Sequence, residues 1–143
     1  MQVLKFGGSS VANAENINKV VSIVQKASQK DKTVLVVSAL GGVTDMLIAA
    51  ATLAASGDES YVEELAVIEK RHLATVQELI PVAKQSSLLS SVKKQCNEIE
   101  DICNGIFLLK ELSQGTKDRV VSYGELLSSQ IISAKLTIEG IEN

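Results

Sequence analysis

Leu4-Lys5-Phe6-Gly7-Gly8-Ser9-Ser10 decides how the rest of the chain is read. A short apolar run over residues 2–6 ends in two adjacent glycines and two hydroxyls, which break it as a strand. Ile17, Val20, Val21, Val24 and Ala27 then recur at helical spacing, and Asn13 is placed to cap that helix. Residues 33–37, Thr-Val-Leu-Val-Val, form a β-branched run of the kind found in strands buried on both faces. Ser38-Ala39-Leu40-Gly41-Gly42-Val43-Thr44 is the next loop, and an Ala-rich helix is expected over about 45–55. Strand, loop, helix, strand, loop, helix is a βαβ opening and predicts a parallel sheet.

The remainder reads as helix. After Gly57-Asp58, residues 59–80 carry Val62, Leu65, Ala66, Leu73, Val76 and Ile80 on one face, and Pro81 follows the stop. Residues 86–112 place Leu89, Val92, Cys96, Ile99, Cys103 and Ile106 along a heptad seam. Two such helices with a short connection predict an antiparallel hairpin. A last helix is expected over about 117–138, with Gly140 ending it. Two strands cannot bury both edges and both faces of a parallel pair. The chain therefore reads as the front part of a larger α/β domain, with the rest of the sheet supplied from elsewhere.

Composition bounds the function. A chain of 143 residues with 45% hydrophobic and 22% charged side chains fits one packed domain. A net charge of -3 and 3% aromatics argue against a nucleic-acid binder, which needs a basic face and stacking platforms. No apolar run reaches the length of a membrane span, and the opening residues lack the pattern of a signal peptide. Cys96 and Cys103 lie seven residues apart. On a helix that is about 10.5 Å, too far for a disulfide. They read as two buried thiols in a reducing cytoplasm, and His72, the single histidine, has no second ligand at zinc spacing.

Three segments carry chemistry. Lys5-Phe6-Gly7-Gly8-Ser9-Ser10 sits at a strand-to-helix junction, where glycines let backbone N–H groups approach an anion and the helix start adds positive charge. A lysine in an otherwise buried strand points the same way, because an unpaired ammonium is costly to bury. The plainer reading is a tight turn beside an exposed Lys5. Ser38 through Thr44 follows the second strand, and ligands of open parallel sheets bind beyond the carboxyl ends of strands. Ser38 and Thr44 offer hydroxyls, and Gly41 and Gly42 close backbone; alternatively Thr44 is only a helix cap. In Ser122-Tyr123-Gly124-Glu125-Leu126-Leu127-Ser128-Ser129 a glycine interrupts a helical pattern, which marks close approach of another backbone or a ligand. Glu125 beside it suits an ammonium group, or else lies on a solvated face.

These segments resemble aspartate kinase. Lys5-Phe6-Gly7-Gly8-Ser9-Ser10-Val11-Ala12, Val37-Ser38-Ala39-Leu40-Gly41-Gly42-Val43-Thr44-Asp45 and Tyr123-Gly124-Glu125-Leu126-Leu127-Ser128 occur in that family's order, with a helical stretch at about 59–112 between the second and third. The opening Val3-Leu4-Lys5-Phe6-Gly7-Gly8, through Val11-Ala12-Asn13-Ala14-Glu15, is similar to the bifunctional aspartokinase–homoserine dehydrogenases. The resemblance implies the amino-acid-kinase fold, an α/β/α sandwich, of which residues 1–143 would be the N-terminal portion. It implies transfer of the ATP γ-phosphoryl group to the β-carboxylate of L-aspartate, with Mg²⁺ bridging phosphates, as a step toward lysine, threonine and methionine. Lys5 would be the phosphate-binding lysine, with Gly7, Gly8 and Ser9 as the phosphate-side loop. The family usually has Thr where Ser9 stands; the hydroxyl is kept. Ser38 and Thr44 would hold aspartate, and Glu125 would meet its ammonium end.

The resemblance also implies what this stretch lacks. The family's catalytic domain is about twice as long, and its second half brings further strands, an Arg and an Asp at the substrate and phosphates, and most of the nucleotide surface. A fragment inactive by itself is therefore expected, homo-oligomeric in its full-length form. Two other readings stand beside it. One is another enzyme of the same fold, acting on glutamate or acetylglutamate. The other is a non-catalytic helical module that associates through the heptad seam.

Overall fold

The computed structural model describes residues 1–143. Strands β1 (Gln2–Phe6) and β2 (Thr33–Val37) pair in parallel, with Leu4 opposite Leu35 and Lys5 opposite Val36. Helix α1 (Ala14–Ser28) joins them. Asn13 caps α1: its side-chain oxygen accepts from the Asn16 N–H at 2.9 Å. Helices α2 (Val43–Ala55), α3 (Tyr61–Leu79), α4 (Ser86–Leu109) and α5 (Gln114–Ile138) follow. α5 ends as predicted, with Gly140 at φ 76° and the Ile141 N–H closing back on the Leu136 carbonyl at 3.0 Å.

The sheet alternates strictly. Leu4, Phe6, Leu35 and Val37 turn inward, half-buried against the core. Val3, Lys5, Val34 and Val36 turn outward, and Val34 and Val36 remain 46% and 41% exposed. The expectation that β2 is buried on both faces is therefore corrected for this chain: helices cover one face, and no element covers the other. Lys5 lies on that open face, so its ammonium is exposed and not buried as its strand suggested.

α2 is the hub of the helical layer. Its small residues Ala50, Ala51 and Ala54 are fully buried, which lets α3, α4 and α5 all pack closely on it. α3 and α4 form the predicted antiparallel hairpin: the Tyr61 hydroxyl at the start of α3 donates to Asn104 late in α4 at 2.5 Å. Buried Gln85 closes the connection by donating to the Gln77 and Ile80 carbonyls at 3.1 and 2.7 Å, two carbonyls that the end of α3 leaves unpaired. The heptad seam of α4 is buried as read, apart from Leu89, which is half-buried while Leu88 goes inward.

The buried face of α3 differs from the predicted one. Tyr61, Ile68, His72, Thr75, Val76 and Leu79 point inward. Val62, Leu65, Ala66 and Leu73 instead line an open groove of about 480 Å³ against Cys96 and Glu100 of α4. Both thiols are free and buried, and burial pushes Cys96 up to about 12 and Cys103 to about 11. No helix is long and apolar enough to cross a membrane.

Candidate functional site at the carboxyl ends of the strands

The chain leaves β1 through Gly7, whose backbone is extended, and makes one 3-10 turn over Gly8–Val11. The start of α1 therefore stands at Ala14, beyond the glycine pair and not directly on it. The Ser10 N–H closes that turn on the Gly7 carbonyl at 2.9 Å, and Asn16 of α1 donates to the Ser9 carbonyl at 3.0 Å. Ser9 is exposed.

The second loop is held against the first. The Ser38 N–H donates to the Phe6 carbonyl at 3.0 Å, continuing the ladder one residue past the strands. A Cβ on Gly8 would come 3.2 Å from the Ala39 carbonyl oxygen. A Cβ on Gly41 would come 3.0 Å from the Ala12 Cβ and 3.1 Å from the Gly8 carbonyl oxygen. These two glycines are thus needed for loop-to-loop contact. Gly7, by contrast, has nothing within 4 Å of its Cβ position. Gly42, at φ 83°, is the residue that opens α2. Thr44 is therefore not the cap: it sits half-buried in the first turn of α2, and its hydroxyl bonds to nothing else in the chain.

The third segment, on α5, closes on the second loop. A Cβ on Gly124 would lie 2.8 Å from the Ala39 Cβ, closer than real side chains approach. The glycine in this helix thus marks a close approach, as its position suggested, and the approaching group is the Ala39 side chain of the second loop. Ser128, fully buried, donates to the Ser38 carbonyl at 2.8 Å. Glu125 is half-buried, not on a solvated face, and its carboxylate accepts the Ala39 N–H at 3.4 Å. Tyr123 anchors the same turn of α5. Its hydroxyl donates to Glu98 of α4 at 2.9 Å, and burial and that carboxylate raise its pKa.

The structure therefore brings the Gly7–Ser9 loop, Ser38, Thr44 and Glu125 to one end of the sheet, with Lys5 on the strand leading there. They do not enclose a cavity: none of the five principal cavities is lined by Lys5, Ser38, Thr44 or Glu125. The surface is a shelf, open on the side of the bare sheet face. Metal-ligating side chains do not cluster in the chain. Two residues at the shelf were missed in the sequence. Ser128 lies in the α5 motif, where its spacing gives no sign of the loop it holds. Arg71 of α3 donates to the Ala12 carbonyl at 2.9 Å. Its only signal was its place beside the lone histidine, a weak one because α3 carries several other charged residues.

The chain is similar to known proteins along nearly its whole length. It is 37% identical over 143 residues to aspartokinase 1 of Arabidopsis thaliana, a match covering 98% of this chain and 24% of that protein. It is 34% identical over 140 residues to the bifunctional aspartokinase/homoserine dehydrogenase 1 of the same plant, covering 98% of this chain and 15% of that one. The fold superimposes on E. coli aspartokinase III with a TM-score of 0.83 at 26% identity, covering 99% of this chain and 30% of that one. That enzyme has been solved with lysine and aspartate, and also with aspartate and ADP. The chain thus spans about a quarter or less of the length of these curated relatives. Residues 1–142 match the family directly. With its parallel strand pair, paired glycine loops and the α5 glutamate gathered at one end, the chain belongs to the amino acid kinase family.

Proposed function

We propose that this chain carries the aspartate-side part of an aspartate kinase, which transfers the γ-phosphoryl group of ATP to the β-carboxylate of L-aspartate. The observation that carries this reading is the convergence of three segments on Ala39. Gly8 abuts its carbonyl, Glu125 accepts its N–H, and Gly124 packs on its Cβ. One short loop is thereby fixed by both the phosphate-side and the ammonium-side residues.

The roles follow from charge and reach. Lys5 has no carboxylate within 4 Å and is exposed, so its ammonium is free to offset charge on the transferred phosphoryl group. Gly7, Gly8 and Ser9 present backbone N–H groups to phosphate, with Gly7 the one open to close approach. Ser38 and Thr44 bind the aspartate carboxylates. Glu125, whose bond to Ala39 is long, has capacity left for the substrate ammonium. Catalysis of this kind is positioning plus electrostatic stabilisation, with no covalent intermediate on the protein. The chain has no carboxylate cluster fit to hold a free metal. Mg²⁺ would arrive on the ATP phosphates, where it offsets their charge.

The open sheet face and the shelf-like site support a second part of this reading. The stretch 1–143 does not complete the reaction alone, and the outward face of β1 and β2 is covered by further sheet and helix or by another subunit. Two free buried thiols suit a reducing, cytoplasmic setting. The similarity to bifunctional relatives extends the proposal to a homoserine dehydrogenase region in the same polypeptide.

The test is aspartate-dependent ADP release with Mg-ATP, on the product of the full reading frame and on residues 1–143. The expected result is turnover in the former, abolished by Lys5→Ala, and none in the latter. A folded full product that phosphorylates glutamate or acetylglutamate in preference to aspartate refutes the substrate. Turnover by residues 1–143 refutes the division of the site.

A further inference from the structure

Arg71 is a charged side chain beside the shelf that the proposed chemistry does not use. It is half-buried, and no carboxylate lies within 4 Å of its guanidinium. Its Nη2 donates to the Ala12 carbonyl at 2.9 Å, at the end of the first loop. Its Nη1 stands 3.9 Å from where a Cβ on Gly42 would be, in the second loop. Ala12 is also the residue on which Gly41 packs, at 3.0 Å from the Gly41 Cβ position. The guanidinium therefore spans the seam between the two loops, touching one and lying beside the other. Its planar fork is rigid, so one end held on Ala12 fixes where the other end lies. Leaving such a cation half-desolvated without a counter-ion is unfavourable, and this position offsets that cost only if the charge or the fork is used there.

We propose that Arg71 is a positioning residue of this site. It ties the phosphate-side loop to the aspartate-side loop across Ala12 and Gly42 and sets their separation from a helix outside the sheet. The kinetic part of this proposal rests on the aspartate kinase reading; the structural part does not.

The experiment measures amide hydrogen exchange and aspartate-dependent ADP release in the product of the full reading frame, for wild type, Arg71→Met and Arg71→Lys. In Arg71→Met, exchange at Ser10 and Val43, whose N–H groups close the two loops, is expected to rise about tenfold, the effect of one lost hydrogen bond. Amides of α4 and α5 stay unchanged. The kcat falls about tenfold or more, as a displaced site requires. Arg71→Lys, which keeps the charge and one donor, recovers part of both. Unchanged loop exchange overturns the proposal. So does faster exchange spread through α3, α4 and α5, which makes Arg71 a support of the fold only, and so does faster loop exchange with unaltered kcat. Faster exchange confined to the loops, in a protein whose wild type shows no aspartate-dependent turnover, supports the tie and refutes the aspartate kinase reading instead.

Discussion

Gly124 and Gly105 are both helical glycines, and alanine at the two positions should act with opposite sign. On helix propensity alone, each Gly→Ala change stabilises by about 1 kcal/mol. At Gly105, in α4, nothing lies within 4 Å of the new Cβ, so that gain is expected in full. At Gly124 the Cβ meets the Ala39 Cβ at 2.8 Å, with Leu47 and Val43 at 3.5 and 3.7 Å. Two methyl carbons sit comfortably at about 3.5–4.0 Å, so α5 and the loop must part by about 0.7 Å. The two side chains can rotate away, but Ala39 cannot. Its loop is held by the Ser38 N–H on Phe6 and by Ser128 on the Ser38 carbonyl. Overpacking of this kind costs about 1–3 kcal/mol. Net of propensity, Gly124→Ala should destabilise by up to about 2 kcal/mol while Gly105→Ala stabilises by up to about 1. Urea unfolding followed by far-ultraviolet circular dichroism measures both. Because the displaced loop carries Ser38, Gly124→Ala should also raise the KM for aspartate, and Gly105→Ala should not. Equal stabilisation by the two alanines would show that the α5–loop contact is loose and would refute the reasoning.

Further outcomes follow from the same packing. Ser128→Ala removes the bond that the buried hydroxyl makes to the half-buried Ser38 carbonyl; a loss of about 1–3 kcal/mol is expected in urea unfolding, and a neutral result would mean that water takes the hydroxyl's place. His72 is fully exposed to the core and closed to solvent, and burial lowers its pKa below the ordinary 6.5. The unfolded chain therefore binds its proton first as pH falls. Stability from His72 should be complete above about pH 6.5 and decline below it, and thermal melts of His72→Leu between pH 7.5 and 5 should lack that part of the slope. Gly7→Ala should leave stability unchanged and weaken nucleotide binding, since its Cβ position is empty. Gly8→Ala should destabilise the fold, since its Cβ meets the Ala39 carbonyl at 3.2 Å. Melting and ADP titration of the pair would separate the two, and the reverse pattern would exchange their roles.

Much of the fold was legible because local rules and tertiary packing agree. Asn13 caps α1, Gly140 ends α5, and the α4 seam is buried nearly residue for residue. The face of α3 was misread because that helix is apolar on two sides. Counting apolar residues favours Val62, Leu65 and Leu73. The choice is made instead by His72 and Thr75, polar residues that go inward by bonding their own helix, His72 to the Ile68 carbonyl at 2.7 Å and Thr75 to that of Arg71 at 2.9 Å. Side chains that carry their own partners evade a hydrophobic count. The reading of β2 failed for another reason. Its Val34 and Val36 are as apolar as an interior strand demands, yet nothing in this chain packs on their side. Composition reports what a residue suits, and the neighbour it suits need not lie in the same stretch.

Function was legible at the level of segments and less so at the level of atoms. Paired glycines after a strand suggested an anion loop, and the geometry divides that inference. Gly8 and Gly41 are glycine because two loops touch there, and Gly124 because a helix touches one of them. Among the glycines of the two loops and the α5 motif, Gly7 alone has nothing within 4 Å of its Cβ position, the open space that close approach of a ligand needs. A glycine-rich loop thus divides its glycines between loop-to-loop packing at Gly8 and open space at Gly7, one residue apart. If the loops were farther apart, Gly8 and Gly41 could carry side chains, but the contacts of Gly8 with Ala39 and of Gly41 with Ala12 would be lost. On the aspartate kinase reading proposed above, this tight seam would also set the spacing between the phosphate-side and aspartate-side loops.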